Sequence, residues 1–132
     1  MDELGRIKKK KLEELRKKME AGKMETEIKV DDTNFETRVM ERSKTVPVIV
    51  DFWAEWCMPC RVLGPTLEKL AKEYKGRFVL AKANVGSTKI KANEYSVMSI
   101  PNVKLFKNGK VADEFIGALP EAQVKEWLDK NI

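Results

Sequence analysis

A short apolar run, Val48–Trp53, is the feature that most limits how this chain can fold. It reads V-I-V-D-F-W, with three β-branched residues first and two aromatic residues at its end. Such a run is typical of a strand that is covered on both faces. A helical pattern begins a few residues later, so the run predicts an α/β fold with ligand chemistry at the carboxyl end of this strand.

The other patterns along the chain alternate between strands and helices. Thr33 and Glu36 have the spacing of a capping box, which predicts the start of a first helix. The pair Asn108-Gly109 lies between two apolar runs and is a strong hairpin signal. We expect strands near residues 27–30, 46–53, 78–85, 103–106 and 111–116, and helices near 33–42, 59–76, 88–95 and 120–132. This order, βαβαβαββα, predicts a mixed central sheet with helices on both faces.

The first 24 residues form a separate basic segment. They contain nine Lys or Arg against five Asp or Glu, a surplus of four in a chain whose formal net charge is +5. Leu4, Ile7, Leu12, Leu15 and Met19 fall on one side of a helical wheel. We therefore expect a basic amphipathic helix in residues 1–24, before a single domain at 25–132.

Two roles remain open for that helix. It would dock on the domain or on a second copy of the chain, giving a monomer or a weak dimer, or fray in solvent. The less favoured alternative is contact of residues 6–18 with nucleic acid, an anionic membrane surface or an acidic partner. Charge runs are usually solvated faces, and no aromatic residue is interleaved to stack on nucleic-acid bases.

Cysteine usage and hydropathy limit the class of protein. No apolar run reaches the length of a signal-peptide core or a membrane span, so we expect a cytoplasmic protein. Cys57 and Cys60 are the only cysteines, and the chain has no histidine. A structural zinc ion needs four ligands, so we expect a redox pair and no metal. Charged residues make up 36% of the chain, mostly Lys and Glu, which leans towards a thermophilic source.

The two cysteines have different positions relative to the predicted helix. Cys57 lies at its amino end, where unpaired amides and the helix dipole favour an anion, and Cys60 lies one turn inside. The thiolate is the form that attacks a disulfide, so we expect Cys57 to be the nucleophile and Cys60 the resolving thiol. Pro59, with a fixed φ and no N–H, suits the first turn.

Asp51 is the one charged residue inside the apolar run. Burial would disfavour its charged form, which suits a general base that takes the proton from Cys60. The alternative is a solvated aspartate at the end of a strand. Lys82, in the next strand pattern, is either its partner or a surface lysine.

The segment Trp56-Cys57-Met58-Pro59-Cys60 resembles the W-C-G-P-C hallmark of the thioredoxin family. Further matches within residues 26–132 are the strand and aspartate at 51–54, Pro65, Lys82, Ile100-Pro101, the hairpin at 106–109, and Gly117. The resemblance implies a thioredoxin fold, a redox-active Cys57–Cys60 disulfide, proton transfer by Asp51 with support from Lys82, and a cis peptide before Pro101. The substrate-docking surface that it implies consists of Trp56, Met58, Pro59, Ile100, Pro101 and Gly117.

Three positions depart from the family pattern. Met58 replaces the usual glycine and places a flexible apolar side chain beside the nucleophile, where we expect it to widen or alter partner choice. Asn102 replaces the common threonine after the proline. Gly86 stands where an acidic residue is usual, and we expect it to affect only a surface loop.

The sequence therefore predicts a thioredoxin-type protein-disulfide reductase. Its substrates are disulfide-containing proteins, it needs no bound cofactor because the electrons reside on the sulfurs, and a separate thioredoxin reductase renews them. One alternative is a protein disulfide oxidase or isomerase with a different redox potential. Another is a non-catalytic binding module that uses the fold and the basic helix to hold a partner.

Overall fold

Five strands form one mixed sheet in the computed structural model, which describes residues 25–132. The predicted helix of residues 1–24 lies outside the described residues. The strands are β1 (Glu27–Val30), β2 (Val48–Trp53), β3 (Val79–Asn84), β4 (Asn102–Lys107) and β5 (Lys110–Ile116). The helices are α1 (a π-helical stretch Glu36–Glu41 continued by a 3-10 turn Arg42–Lys44), α2 (Met58–Glu73), α3 (Lys89–Glu94) and α4 (Glu121–Asn131). The predicted order of elements is confirmed.

Strand β2 lies at the centre of the sheet. The spatial order is β1-β3-β2-β4-β5, with β1, β3 and β2 parallel and both β4 and β5 antiparallel to their neighbours. This register places Asp51 opposite Lys82 of β3 on one side and opposite Val103 of β4 on the other. The carboxyl end of β2 leads directly into the cysteines and α2.

Both faces of β2 are buried, as the apolar run predicts. Because side chains alternate along a strand, Ile49 and Asp51 face one layer while Val48, Val50 and Phe52 face the other. The first layer is a core built largely from α2 and α4, with Leu63, Leu67, Leu70, Val124 and Leu128. The second is a core that includes Phe35, Val39 and Phe106.

The first helix begins differently from the prediction. Asp31 accepts hydrogen bonds from the amides of Thr33 (2.8 Å) and Asn34 (3.2 Å), so Asp31 caps the turn at residues 32–34 that leads into α1. The Thr33 hydroxyl donates to the same carboxylate, and Glu36 pairs with Lys91 at 2.9 Å. The predicted Thr33/Glu36 capping box is therefore wrong, because the Thr33 amide and hydroxyl both donate to Asp31 and the Glu36 carboxylate pairs with Lys91 instead.

Two other boundaries follow from local chemistry. Strand β2 begins at Val48 because the amides of Thr45 and Val46 still bond back to the carbonyl of Arg42, at 3.0 and 3.1 Å. The hairpin between β4 and β5 is confirmed at Asn108-Gly109, with φ values of 53° and 78°. Both are positive, as the two-residue turn that fits the strand twist requires.

Candidate active site

Cys57 and Cys60 lie at the first turn of α2 and are joined by a disulfide. Cys57 is the N-cap residue, with extended backbone, and its Sγ accepts a hydrogen bond from the Cys60 amide at 3.3 Å. Free amides and the dipole of a helix start stabilise a thiolate at this position. Cys57 is 5% exposed and Cys60 is 2% exposed, so Cys57 is the more accessible of the two.

The loop before β4 meets the cysteines from the other side. The Cys57 Sγ lies 3.8 Å from the carbonyl oxygen of Ile100, and the Ile100-Pro101 bond is cis. Ile100 packs against the small cluster of Ala54, Cys57 and Cys60. The amide of Gly117 donates to the Pro101 carbonyl at 2.9 Å. The fold thus brings Ile100, Pro101 and Gly117, which are far apart from the cysteines in sequence, to one place.

Exposed apolar side chains surround this junction. Trp56 is 77% exposed and Met58 is 66% exposed, on either side of Cys57, and Pro59 is also exposed. Met98, two residues before Ile100, is 91% exposed and is absent from the site residues that the sequence predicts. The signal available in the sequence was a lone methionine between a short helical pattern and the Ile-Pro pair.

Asp51 is fully buried within β2, the strand that leads into the cysteines. Neither of its carboxylate oxygens has a hydrogen-bond partner among residues 25–132. The nearest cation is the Lys82 Nζ, which lies 3.8 Å from Oδ2 and is too distant for a hydrogen bond. Burial raises the pKa of the Asp51 carboxyl to about 6, against the attraction of Lys82. The picture of a solvated aspartate at a strand end is therefore wrong.

Lys82 is mostly buried and is not a surface lysine. Its Nζ lies 3.3 Å from Glu68 Oε1 on α2, and 5.1 Å from the centre of the Trp53 ring. The amine therefore sits between two carboxylates, those of Glu68 and Asp51. The sequence analysis did not predict Glu68 as a site residue, because its charge is typical of a solvated position on a helix.

The remaining departures from the family pattern have local consequences. Asn102 is buried, and its Oδ1 has no hydrogen-bond partner within the described range. Gly86 lies in an exposed loop after β3, where its amide donates to Asn84 Oδ1 at 2.8 Å. The buried Nε1 of Trp53 also has no partner in residues 25–132.

Residues 25–132 contain no group of three or more His, Cys, Asp or Glu side chains arranged to hold a metal ion. None of the helices in that range is long and apolar enough to cross a membrane.

The comparison with known proteins decides the family. The thioredoxin family model matches residues 26–130, which is most of the chain. This chain belongs to the thioredoxin family. Its Cys57–Cys60 pair is the dithiol-disulfide centre of such a protein, and the chain is a protein-disulfide reductase.

Individual thioredoxins match over the same region. A thioredoxin of Chlorobaculum thiosulfatiphilum is 43% identical over 101 residues, covering 76% of this chain and 92% of that protein. A thioredoxin of Acidithiobacillus ferridurans is 44% identical over 103 residues, covering 78% and 94%. A chloroplastic M-type thioredoxin of Chlamydomonas reinhardtii is 42% identical over 103 residues, covering 78% and 72%.

Proposed function

We propose that this thioredoxin reduces protein disulfides with Cys57 as the nucleophile and Cys60 as the resolving thiol. The Cys57 thiolate attacks one sulfur of the substrate disulfide, forming a mixed disulfide and releasing the other sulfur as a thiolate. Cys60 then attacks the Cys57 sulfur, which breaks the bond to the substrate and closes the Cys57–Cys60 disulfide. The observation that supports this most directly is the N-cap position of Cys57, whose Sγ accepts from the Cys60 amide.

Asp51 is the general base of the second step in this proposal. Cys60 must lose its proton before it can attack, and a carboxyl whose pKa is about 6 can accept a proton near neutral pH. Lys82, 3.8 Å from Asp51, supports the transfer because its positive charge stabilises the ionised carboxylate, which is the form that can accept a proton.

The docking surface of the proposal combines the predicted residues with one more. Trp56, Met58 and Pro59 lie on the helix side of the cysteines, and Ile100, Pro101 and Gly117 lie on the loop side. Met98 joins the loop side, because it is highly exposed and lies two residues from Ile100. Flexible thioether side chains adapt to varied apolar surfaces, which suits an enzyme with several protein substrates.

The source of electrons and the setting complete the proposal. A separate thioredoxin reductase renews the dithiol, in a reducing compartment such as the cytoplasm. Residues 1–24 are an extension outside the domain at 25–132, which is supported by the start of the family match at residue 26. The charge-rich composition supports a thermophilic source, for which a thermal melt is the test.

Serine variants of the two cysteines test the roles directly. Cys57→Ser should abolish disulfide reduction, because the hydroxyl cannot replace the thiolate. Cys60→Ser should instead accumulate mixed disulfides with substrates, visible as higher-mass bands on non-reducing gels that disappear with dithiothreitol. Turnover at the wild-type rate in either variant would refute the assignment.

A further inference from the structure

A cluster of charges lies on the α2 side of the sheet, next to Asp51. The Lys82 amine is 3.3 Å from Glu68 and 3.8 Å from Asp51, so Glu68 holds it by the shorter contact. Gly64 leaves the space that the amine occupies, since a Cβ at that position would lie 3.1 Å from the Lys82 Nζ. The position of the amine is therefore set jointly by α2 and β3.

This cluster borders a cavity that is open to solvent. The cavity has a volume of about 550 Å³, and its wall includes Lys82, Glu68, Trp53 and Glu27. That volume is large enough for several water molecules. Asp51 is fully buried and is not part of the wall, whereas Lys82 and Glu68, which form the ion pairs beside it, are.

A buried base needs a route for its proton. In each cycle the Cys60 proton moves to Asp51 while the Cys60–Cys57 bond forms and the substrate thiolate leaves. The proton must then pass from Asp51 to solvent before the next cycle. The cavity beside Lys82 and Glu68 brings solvent-accessible space directly against this cluster.

We propose that Glu68 is a positioning residue for this proton transfer, holding the Lys82 amine between its own carboxylate and that of Asp51 at the wall of the cavity. This inference rests on the proposed role of Asp51 as general base. Glu68 itself touches neither the cysteines nor the substrate in this scheme, and acts through Lys82 and through its charge.

The negative charge of Glu68 acts on Asp51 in two ways that have the same sign. It repels a second negative charge on Asp51, which raises the pKa of Asp51 beyond the effect of burial. It also draws the Lys82 amine towards itself and away from Asp51, which weakens the opposing attraction. Glu68 therefore keeps the proton affinity of Asp51 high enough for base catalysis.

Other charged groups from neighbouring elements face this cluster and contribute to the electrostatic potential around it. The pKa of Glu27 is raised by burial and by the Glu68 carboxylate, and is lowered by Lys82 and Lys72. The remaining charged side chains at the cavity wall are Lys29, Asp31 and Glu55. Within residues 25–132, the Lys82 amine forms ion pairs with Glu68 and Asp51 only, and Glu68 is the nearer of the two.

The test is Glu68→Gln, with Glu73→Gln as the matched control. Glu73 lies on the same helix, but its ion-pair partner is Lys69 at 3.9 Å and not Lys82. The titration midpoint of Asp51 is read from its carboxyl ¹³C shift, and the pH profile of the resolving step from single-turnover kinetics. Glu68→Gln should move both midpoints down by about 0.5 to 1 pH unit, and Glu73→Gln should leave them in place.

Two more variants separate the outcomes. Glu68→Asp keeps the negative charge, so its Asp51 titration midpoint should lie close to that of the wild type. If the role of Glu68 were purely structural, the midpoint would not depend on whether residue 68 carries a charge. An unchanged Asp51 midpoint in Glu68→Gln, with Asp51→Asn still slow in the resolving step, would overturn the role of Glu68 and leave the proposed function intact. Wild-type turnover of Asp51→Asn at every pH would overturn both the role of Glu68 and the proposed role of Asp51 as general base.

Discussion

Asp51 has two opposing effects at the scale of the single residue. Its burial without a hydrogen-bond partner raises the pKa to about 6, which the proposed proton transfer uses. The same burial makes the ionised carboxylate costly to the folded state. Activity and stability should therefore respond in opposite directions when the charge is removed.

Asp51→Asn should stabilise the protein and slow the resolving step. The folded-state pKa of about 6 exceeds the ordinary value of 3.8, so the folded form binds the proton more tightly and loses stability as pH rises through about 6. Above that pH the variant should gain up to about 3 kcal/mol in unfolding free energy. The gain should fade between pH 6 and about pH 4, which urea denaturation at several pH values measures.

A stability difference between Asp51→Asn and wild type that is equally large at pH 4 and pH 8 would contradict a buried, titrating carboxyl. The kinetic half of the prediction has its own readout. Single-turnover traces should show normal formation of the mixed disulfide and a delayed release of substrate, because only Cys60 requires the base.

Met98 provides a second prediction at this scale. Met98→Ser should raise KM for protein substrates about three- to tenfold and leave kcat nearly unchanged, since it removes apolar docking area and not a reacting group. Val111→Ser is the control, because Val111 is also exposed but lies at the hairpin end of β5, next to Phe106. Equal KM values for the two variants would remove Met98 from the docking surface.

The sequence predicted some of these residues and missed others for physical reasons. The burial of Asp51 was predictable from the apolar run around it, and the roles proposed for the cysteines follow from their local spacing. Met98 and Glu68 were missed because their surroundings depend on distant segments. Only the packing of α2 beside β3 places Glu68 near Lys82. The proposed role of Met98 depends on the approach of Ile100, two residues later, to Cys57.

At the level of secondary structure, the sequence patterns located the strands and helices, but they did not identify which residue caps the start of α1. The hairpin at Asn108-Gly109 was predictable, because the two-residue turn requires positive φ at both positions and few residues tolerate it. The start of α1 was not, since Asp31 and Thr33 both have side chains that suit a cap. Which of the two caps the turn depends on which side chain lies within hydrogen-bond distance of the free amides, and that is Asp31.

Substitution at the two candidate caps should separate them. Asp31→Ala should lower the unfolding free energy more than Thr33→Ala does, because Asp31 accepts from two amides and Thr33 only donates to Asp31. Guanidinium denaturation of both variants makes the comparison. A larger loss for Thr33→Ala would return the cap to Thr33.

At the scale of the whole molecule, the order of elements was predictable and their spatial arrangement was supplied by the family resemblance. Periodicity is local, so it gives βαβαβαββα directly. The sheet order β1-β3-β2-β4-β5 depends on pairings between distant strands, such as Ile49 with both Leu80 and Leu105. That arrangement puts the cysteines, the Ile100-Pro101 loop and the Asp51 cluster at one end of β2.

The claim that this chain is a reductase can be tested by measuring the redox potential of the Cys57/Cys60 pair. The pair can be titrated against dithiothreitol or glutathione and followed by tryptophan fluorescence, since Trp53 packs against the cysteines and Trp56 precedes Cys57. A reductase should give a value near or below about -250 mV. A value well above about -200 mV would contradict that claim in favour of an oxidase or isomerase, and failure to form a reversible disulfide would leave a binding module.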